Sequence, residues 1–252
     1  LFPYTTLFRS SALHSVPDCQ SIIKKAAAVR MGAAYGLSRL PETGALHQIQ
    51  FTIMKDEARI FLDTSGTGLH KRGYRPAQVA APLRETLAAA MVDIAGYRGR
   101  GDFCDPFCGS GTLLIEREKL APAASLTGVD IAHRAIDIAR KNAENAGSKA
   151  KFICNDMLRF EAKRPYDEIV ANLPFGNRVG THANNERLYA GLLDRLPQWL
   201  NEDGVAILYT MEFTLLKKLI RERPKLKLVT ETRTEAGGLM PGIFIIKLKQ
   251  ID

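Results

Sequence analysis

The chain has 252 residues, of which 46% are hydrophobic and 25% charged, and it carries a net charge of +8 at pH 7. This composition is typical of one large globular domain, or of one domain with a smaller module. No apolar run reaches the ~20 residues that a bilayer-spanning helix needs, so we predict no membrane partner. Residues 1–80 hold 10 Lys/Arg against 5 Asp/Glu, which favours a polyanionic partner, with a merely basic surface as the alternative.

The N-terminal part of the chain predicts a small module. Residues 1–10, LFPYTTLFRS, lack the basic start and the cleavage site of a signal peptide, and we predict that they are extraneous or disordered. Residues 11–64 contain a helix over 18–35, capped by Asp18, and two alternating strands in HQIQFTIMK and ARIFLDTS. This piece is small for an independent fold, so we interpret it as part of a larger module, followed by a Gly- and Pro-rich linker over 65–81.

Residues 82–252 show a repeating alternation of strands and helices, which predicts an α/β fold with parallel strands and right-handed crossovers. Two further strands near the end, joined by the turn-rich EAGGLMPG, predict an antiparallel hairpin. The predicted helices are 82–95, 112–120, 132–146 and 186–200, and the predicted strands are 102–105, 126–130, 151–155, 167–171, 204–210, 226–233 and 243–249.

The four cysteines, Cys19, Cys104, Cys108 and Cys154, show no paired framework. We interpret them as small hydrophobic residues of a protein in the reducing cytoplasm. A zinc site built on Cys104 and Cys108 is the alternative. It lacks a second cysteine or histidine pair with ligand spacing, so we predict no metal.

The segment DFCDPFCGSGTLLIE predicts a ligand-binding loop between a strand and a helix. The strand ends at Asp105, the loop contains Gly109, Ser110 and Gly111, and the helix begins at Thr112. Glycines let the backbone approach a ligand closely. The spacing is not G-x-G-x-x-G and the Walker lysine is absent, which disfavours a nucleotide phosphate. Asp105 instead argues for a cationic group on the ligand.

Two more aspartates end the next two predicted strands. Asp130 is placed to accept from the hydroxyls of a ribose, as in dinucleotide-binding folds, and Asp156 to accept from an adenine amino group. For each aspartate alone, a local helix cap is the alternative. Three acidic strand ends at one crevice point to an amine, a ribose and an adenine together, which favours S-adenosylmethionine over a dinucleotide.

The segments DPFCGSGT, GVDI, CNDM and NLPFG resemble successive motifs of class I S-adenosylmethionine-dependent methyltransferases. More narrowly, LDTSGTGLHKRGYR and APLRETLAAA resemble the THUMP-containing RNA guanine-N2 methyltransferases, and residues 11–64 resemble the C-terminal part of a THUMP domain, an RNA-binding module. The resemblance implies a Rossmann-like, mostly parallel seven-stranded sheet with a C-terminal antiparallel hairpin, preceded by a partial α+β THUMP-like module. It also implies S-adenosylmethionine as cofactor and RNA as partner.

The resemblance also implies roles for single residues. Asn172, Leu173, Pro174 and Phe175 match the catalytic tetrapeptide, although Leu173 replaces the first of two prolines and Phe175 replaces a tyrosine. With Leu188-Tyr189 following, this form is more similar to the branch that methylates tRNA than to the rRNA branch. The residues that match the cofactor site are Asp105, Gly109, Ser110, Gly111 and Thr112 at the methionine moiety, Asp130 and Ile131 at the ribose, Asp156 and Met157 at the adenine, and Asn172.

The stretch NLPFGNR suits the methylation of a planar amino group. The exocyclic nitrogen of guanine shares its lone pair with the ring, so the enzyme needs geometry more than a base. The Asn172 side chain and the Leu173 carbonyl are placed to accept its two N–H groups, and Phe175 to stack on a base that has left its helix. A plain strand-ending loop is the alternative for the stretch. Three alternatives stay open for the function of the protein. It could be a large-subunit rRNA methyltransferase, a DNA amino-methyltransferase or a non-catalytic RNA-binding protein.

Cations and an aromatic residue in the predicted linker suit contact with RNA, namely Lys71, Arg72, Tyr74 and Arg75, together with Arg178 after the tetrapeptide. A solvated linker is one alternative. In the family that the chain resembles, this segment lies close to the cofactor. A second alternative is therefore that Arg72 or Arg75 meets the methionine end.

Overall fold

The structure is a computed structural model that describes residues 2–40, 43–44, 46–64, 66, 68–75, 83–96, 99–175, 182–235 and 238–249, without the side chains of 2–7 and 182. Arg178, one of the predicted RNA contacts, lies outside the described residues. The chain divides into two compact units, residues 1–68 and 69–252. No helix of the described residues is both long and apolar enough to cross a membrane.

The first unit is a three-stranded sheet with one helix. Its elements are β1 (Phe2–Arg9), α1 (Val16–Tyr35), β2 (Gln48–Met54) and β3 (Glu57–Asp63). β1 pairs with β2 in parallel, and β2 pairs with β3 in an antiparallel hairpin. Lys55 and Asp56 both have positive φ in that hairpin, as a two-residue turn of type I′ requires.

Two details of this unit differ from the sequence predictions. Residues 2–9 form a strand, because their backbone pairs with the edge that β2 offers on the side away from β3. The cap of α1 is Ser15 rather than Asp18. The Ser15 hydroxyl accepts a hydrogen bond from the Asp18 N–H at 3.3 Å, so Asp18 lies inside the first turn.

The second unit confirms the predicted seven-stranded sheet. Its strand order is β6-β5-β4-β7-β8-β10-β9, in which β10 runs antiparallel to both neighbours and the others pair in parallel. The elements are α2 (Glu85–Ile94), β4 (Asp102–Asp105), α3 (Thr112–Leu120), β5 (Ser125–Asp130), α4 (His133–Ala146), β6 (Lys151–Cys154), β7 (Tyr166–Asn172), α5 (His182–Trp199), β8 (Leu200–Thr210), α6 (Phe213–Arg221), β9 (Leu226–Arg233) and β10 (Gly242–Leu248).

Helix α6 is an element that the sequence predictions missed. Its buried residues Leu215, Leu216, Leu219 and Ile220 recur at helical spacing, so the apolar stripe was present in the sequence. α5 and α6 cover one face of the sheet, and α2, α3 and α4 cover the other. With both faces covered, the open place for a ligand is the edge where the parallel strands end.

The boundary between the units also differs from the predicted linker over 65–81. Residues from 69 onward belong to the second unit, and Tyr74 is buried in its core. The Gly- and Pro-rich composition of this segment is typical of a linker. The packing of Tyr74 nevertheless makes its described part belong to the second unit. Residues 65, 67 and 76–81 of the predicted linker lie outside the described residues.

All four cysteines are free thiols, and Cys19, Cys104 and Cys108 are buried. Burial raises the pKa of Cys104 and of Cys108, which disfavours the thiolate that binds metals. Within the described ranges, no three or more His, Cys, Asp or Glu side chains are grouped so that they could hold a metal ion.

Candidate active site

A cavity of about 660 Å³ lies at the edge of the sheet where β4, β5 and β7 end. This edge is where the strand order reverses between β4 and β7, the usual position of ligands in open α/β sheets. The cavity wall contains twelve of the thirteen residues predicted for the cofactor and the tetrapeptide: Asp105, Gly109, Ser110, Thr112, Asp130, Ile131, Asp156, Met157, Asn172, Leu173, Pro174 and Phe175.

Gly111, the remaining predicted residue, does not belong to the cavity wall. It has a φ of +80°, and a Cβ built on it would come within 2.9 Å of the Phe152 ring and 3.3 Å of the Ala139 Cβ. Glycine is therefore required here for the packing of the loop against β6 and α4. The loop is also held by Asn142, whose amide donates to the Ser110 carbonyl at 3.0 Å.

Each of the three strand-end aspartates caps the turn that follows it. Asp105 Oδ1 accepts from the Phe107 N–H at 3.0 Å, Asp130 Oδ1 from the Ala132 N–H at 2.9 Å, and Asp156 Oδ1 from the Leu158 N–H at 2.9 Å. These bonds close local turns and are not helix caps, since the N-caps of α3 and α4 are Gly111 and Ala132. They are compatible with ligand binding, because a carboxylate offers about four acceptor positions.

Asp105 and Asp130 give the cavity an acidic floor. Asp105 is 1% exposed, and burial, with the nearby Asp130, raises the pKa of its carboxyl well above the usual range. Asp130 also ties the glycine loop to β5, since its Oδ2 accepts from the Gly109 N–H at 2.9 Å. A buried carboxyl with a raised pKa gains from a cationic ligand group beside it.

The tetrapeptide is fixed by a chain of hydrogen bonds that begins on α6. The Glu212 N–H donates to the Thr210 hydroxyl at 2.9 Å, and the Thr210 and Tyr189 hydroxyls lie 2.6 Å apart. The Tyr189 hydroxyl donates to the Pro174 carbonyl at 2.7 Å. A phenol has a single proton to donate, so Thr210 must be the donor in the bond to Tyr189. Burial raises the pKa of Tyr189, which keeps it neutral and able to donate.

Asn172 belongs to the cavity wall, and its side chain carries an unpaired acceptor. Its Oδ1 is buried and has no hydrogen-bond partner in the part of the chain that the structure describes. A buried acceptor without a partner costs roughly 1–3 kcal/mol. Leu173 continues the pairing with β8, since its N–H donates to the Tyr209 carbonyl at 3.0 Å. Phe175 makes an edge contact with the Tyr209 ring, with the ring centroids 6.0 Å apart.

The segment predicted to contact RNA is largely turned inward. The Arg72 guanidinium pairs with Glu116 at 3.1 Å, and the buried Tyr74 hydroxyl donates to the same carboxylate at 3.0 Å. The Arg75 side chain is 7% exposed and lies 3.3 Å from Glu85. Direct phosphate contact by Tyr74 or Arg75 does not fit this burial, whereas Lys71 and Arg72 are exposed.

Arg75 instead supports the cavity wall from behind. Its Nη1 donates to the Thr112 hydroxyl at 3.1 Å and to the Leu83 carbonyl at 2.7 Å, and both of these residues line the cavity. Arg75 itself is not part of the cavity wall, so contact of Arg75 with the methionine end stays a prediction.

Several wall residues were missed by the sequence predictions: Arg134 and Ile138 on α4, Asn184, Arg187 and Leu188 on α5, and Leu83 and Phe107 in loops. Arg134 and Arg187 are exposed cations from two different helices. The nearest signal in the sequence was Leu188-Tyr189, which resembled a family feature without indicating a contact.

The fold and the acidic cavity define a class I methyltransferase, and S-adenosylmethionine is its methyl donor. Three carboxylates in one cavity wall fit the ammonium, ribose and adenine groups of this cofactor. Over nearly the whole chain the fold is similar to the crystal structure of SMU.472 complexed with SAH. The TM-score is 0.79 with 24% identity, covering 99% of this chain and 75% of that one.

Residues 72–241 match the UPF0020 family, described as RMKL-like, methyltransferase domain. The match covers more than half of the chain, which therefore belongs to this family.

The chain is also similar to named proteins. It is 35% identical over 230 residues to the "Putative RNA methyltransferase YpsC" of Bacillus subtilis, covering 75% of this chain and 60% of that protein. It is 32% identical over 195 residues to the ribosomal RNA large subunit methyltransferase K/L of Photobacterium profundum, covering 59% of this chain and 27% of that enzyme. The chain thus spans 60% or less of the length of both relatives.

Proposed function

We propose that this chain transfers a methyl group from S-adenosylmethionine to the exocyclic N2 of guanosine in RNA, with tRNA as the preferred substrate. The observation that carries the proposal is the unpaired Asn172 Oδ1 in the wall of an acidic cavity. A neutral acceptor at this position suits an amino group that becomes cationic as it is methylated. The names of YpsC and of the K/L enzymes support RNA as the substrate class.

The cofactor would be held by the three strand-end aspartates. Asp105 faces its ammonium group, Asp130 its ribose hydroxyls and Asp156 its adenine amino group. When bound, S-adenosylmethionine supplies an electrophilic methyl group on a sulfonium. The loop at Gly109 and Ser110 keeps the backbone close to the methionine moiety, and Arg75 holds Thr112 in place from behind.

The chain's own residues would supply orientation. Asn172 Oδ1 and the Leu173 carbonyl accept the two N–H groups of the guanine amine, so that its lone pair turns toward the methyl group. As positive charge develops on the nitrogen, both hydrogen bonds strengthen, and this favours the transition state over the bound substrate. Phe175 stacks on the base and excludes water.

The hydrogen bonds around Tyr189 would keep this geometry rigid. Proline removes one backbone N–H from the turn, so the loop depends on donors that come from elsewhere. Tyr189 provides one at the Pro174 carbonyl, and Thr210 connects Tyr189 to the start of α6. We propose Tyr189 as a positioning residue, because it touches the tetrapeptide and does not line the cavity.

The first unit would act as an RNA-binding module of the THUMP type. Its helix and three-stranded sheet are an α+β arrangement, and residues 1–68 hold 7 Lys/Arg against 5 Asp/Glu. Exposed Lys71 follows this unit directly. Phosphate contacts of this kind are independent of sequence and weaken as salt increases.

Large-subunit rRNA is the second candidate substrate, because the K/L relatives carry that substrate in their name. Nucleoside mass spectrometry would decide among substrates. Unmodified tRNA, large-subunit rRNA and duplex DNA are each incubated with labelled S-adenosylmethionine, and the nucleosides are then analysed. We expect N2-methylguanosine from tRNA, formed about 10²–10³-fold more slowly when Asn172→Ala replaces the wild type. Methyladenosine or methylcytosine as the product would refute the guanine assignment.

A further inference from the structure

Arg233 and Phe213 form an exposed stacked pair outside the cavity. The Arg233 Cζ lies 3.7 Å from the centroid of the Phe213 ring, which is stacking distance for a guanidinium on an aromatic face. Arg233 is exposed, whereas Phe213 is half-buried and packs against the core between α5, α6 and the sheet. The planar cation is thus supported from below and open to solvent above.

This pair lies at the same edge of the sheet as the tetrapeptide. Asn172 pairs with Tyr209 on β8, the next residue of β8 pairs with Gly242 on β10, and Gly242 pairs with Arg233 on β9. Three strand spacings separate β7 from β9, which is about 14 Å. Nucleotides on either side of a base bound at Asn172 fall within that reach.

Polar contacts connect the cavity to the pair along the first turns of α5. Arg187 lines the cavity and is exposed. Two residues before it, Asn185 donates from Nδ2 to the Glu212 carboxylate at 3.4 Å, and Glu212 directly precedes Phe213. Arg187 is thus an exposed cation of the cavity wall on α5, the helix whose Asn185 contacts the start of α6.

The surroundings of the pair favour stacking over general charge attraction. Met240 and Leu239 are 52% and 49% exposed, and the Met240 carbonyl accepts from Arg233 Nη1 at 3.4 Å. The acidic residues nearby are Glu212, exposed Glu235, and Glu231, which pairs with Lys217 at 3.0 Å. With charges of both signs close together, the distinctive feature of this surface is a flat cation beside apolar side chains.

We propose that Arg233 and Phe213, with Met240 beside them, form a stacking platform for a base that flanks the target guanosine in single-stranded RNA, and that Arg187 binds the phosphate backbone between the two. The inference rests on the proposed function and adds to it the path of the RNA strand. Bases stack on aromatic and guanidinium faces without regard to sequence, so the platform holds the strand while the tetrapeptide selects the base.

A second basic surface provides the contrast. Lys217, Arg221, Arg223, Lys227 and Lys249 line a cavity of about 390 Å³. It lies at the opposite edge of the sheet, where Leu226 pairs with Leu248. Although it carries more cations, it faces away from Asn172. Arg221 ends the helix that Phe213 begins, so Arg221→Ala is a matched control for Arg233→Ala.

The test measures the binding of a guanosine-containing RNA oligonucleotide by fluorescence anisotropy, in the presence of S-adenosylhomocysteine. Arg233→Ala should weaken binding about 5- to 150-fold, the range for one stacked base. Arg233→Lys keeps the charge without the plane and should restore less than half of that loss on a logarithmic scale. Arg221→Ala should bind like the wild type, and all variants should keep cofactor affinity and thermal unfolding unchanged.

A set of oligonucleotides that each lack one base identifies the stacked nucleotide. One abasic site should weaken wild-type binding and leave Arg233→Ala unaffected, because the same contact is already lost. Unchanged binding in Arg233→Ala, an equal loss in Arg221→Ala, or full recovery in Arg233→Lys would each overturn the platform. The anisotropy assay measures RNA binding without methyl transfer. If no N2-methylguanosine were formed in the activity assay, the proposed function would be wrong, but the binding result for the platform would still hold.

Discussion

The two halves of the cavity are held in different ways. In the acidic half, each of Asp105, Asp130 and Asp156 accepts from the N–H two residues further along, so each aspartate and its turn form one local unit. In the tetrapeptide half, the Pro174 carbonyl depends on Tyr189, fifteen residues away, and Tyr189 depends on Thr210. The three turns of the first half need only neighbouring residues, although its glycine loop is also held by Asp130 and Asn142, whereas the second half is held only after α5 and β8 have packed.

The unpaired groups differ in the same way. In the acidic half, the unfavourable group is the buried Asp105 carboxyl with its raised pKa, and a cationic ligand would stabilise its charged form. In the tetrapeptide half, the unfavourable group is the unpaired Asn172 Oδ1, and a ligand that donates a hydrogen bond would pair it. Variants in one half should therefore change cofactor affinity, and variants in the other should change turnover.

The largest effect is expected for Asn172→Ala. Single-turnover methyl transfer should fall by about 10²–10³-fold, because an oriented acceptor that acts mainly in the transition state is lost. Cofactor affinity, measured by calorimetry, should stay within about twofold. Phe175→Tyr is the control in the same loop, since it keeps the stacking face and should be nearly neutral. Full activity in Asn172→Ala would make the tetrapeptide a simple turn.

Asp130→Ala should have the next largest effect, and on cofactor binding. Losing charge-assisted hydrogen bonds costs about 1.5–3 kcal/mol, or about 10- to 150-fold in affinity for S-adenosylhomocysteine. Asp137→Ala is the matched control, because Asp137 lies on α4 with an exposed side chain outside the cavity wall. If the two variants bound the cofactor equally well, the acidic half would not be the cofactor site.

Tyr189→Phe should reduce turnover moderately without affecting the cofactor. It removes the hydrogen bond to the Pro174 carbonyl, and the loss of such a bond costs about 1–2 kcal/mol, or about 5- to 30-fold in kcat. Tyr209→Phe removes a hydroxyl from the same edge that is not part of this chain of bonds. A drop in cofactor affinity in Tyr189→Phe would mean that the two halves are coupled.

The smallest effect is expected for Asp105→Asn, as a gain in stability at neutral pH. The raised pKa means that the folded protein binds this proton more tightly than the unfolded chain does. The stabilisation is complete below the ordinary value of 3.8 and is lost as pH rises through the raised pKa. Asparagine cannot ionise, so the folded protein keeps this stability at neutral pH, and its amide oxygen still accepts from the Phe107 N–H.

Thermal unfolding without cofactor would measure this gain, at about 2–4 °C for each kcal/mol in a chain of this size. The difference from the wild type should disappear as the pH is lowered, and the variant should bind S-adenosylmethionine more weakly. A melting temperature that is lower at neutral pH would show that Asp105 is stabilised by a charge other than the ligand's.

The order of the helices and strands from residue 85 onward, and the three aspartates, could be predicted because their determinants are local. Hydrophobic periodicity marks the elements, and a strand-end aspartate beside a turn needs only its own neighbours. The same reasoning missed α6, although its apolar stripe was visible in the sequence. It also predicted that Gly111 contacts the ligand, whereas glycine is needed there because a Cβ would clash with Phe152.

Tertiary structure alone decided which distant groups meet. Arg72, Tyr74 and Arg75 have the composition of an RNA-contact segment, yet Glu116 and Glu85 take up their polar groups inside the second unit. Tyr189, Arg187 and Arg233 gain their positions from helices and strands that lie far apart in the chain. A sequence specifies short-range hydrogen bonds residue by residue, whereas the pairing of buried charges and the edge that a side chain reaches depend on how the layers pack.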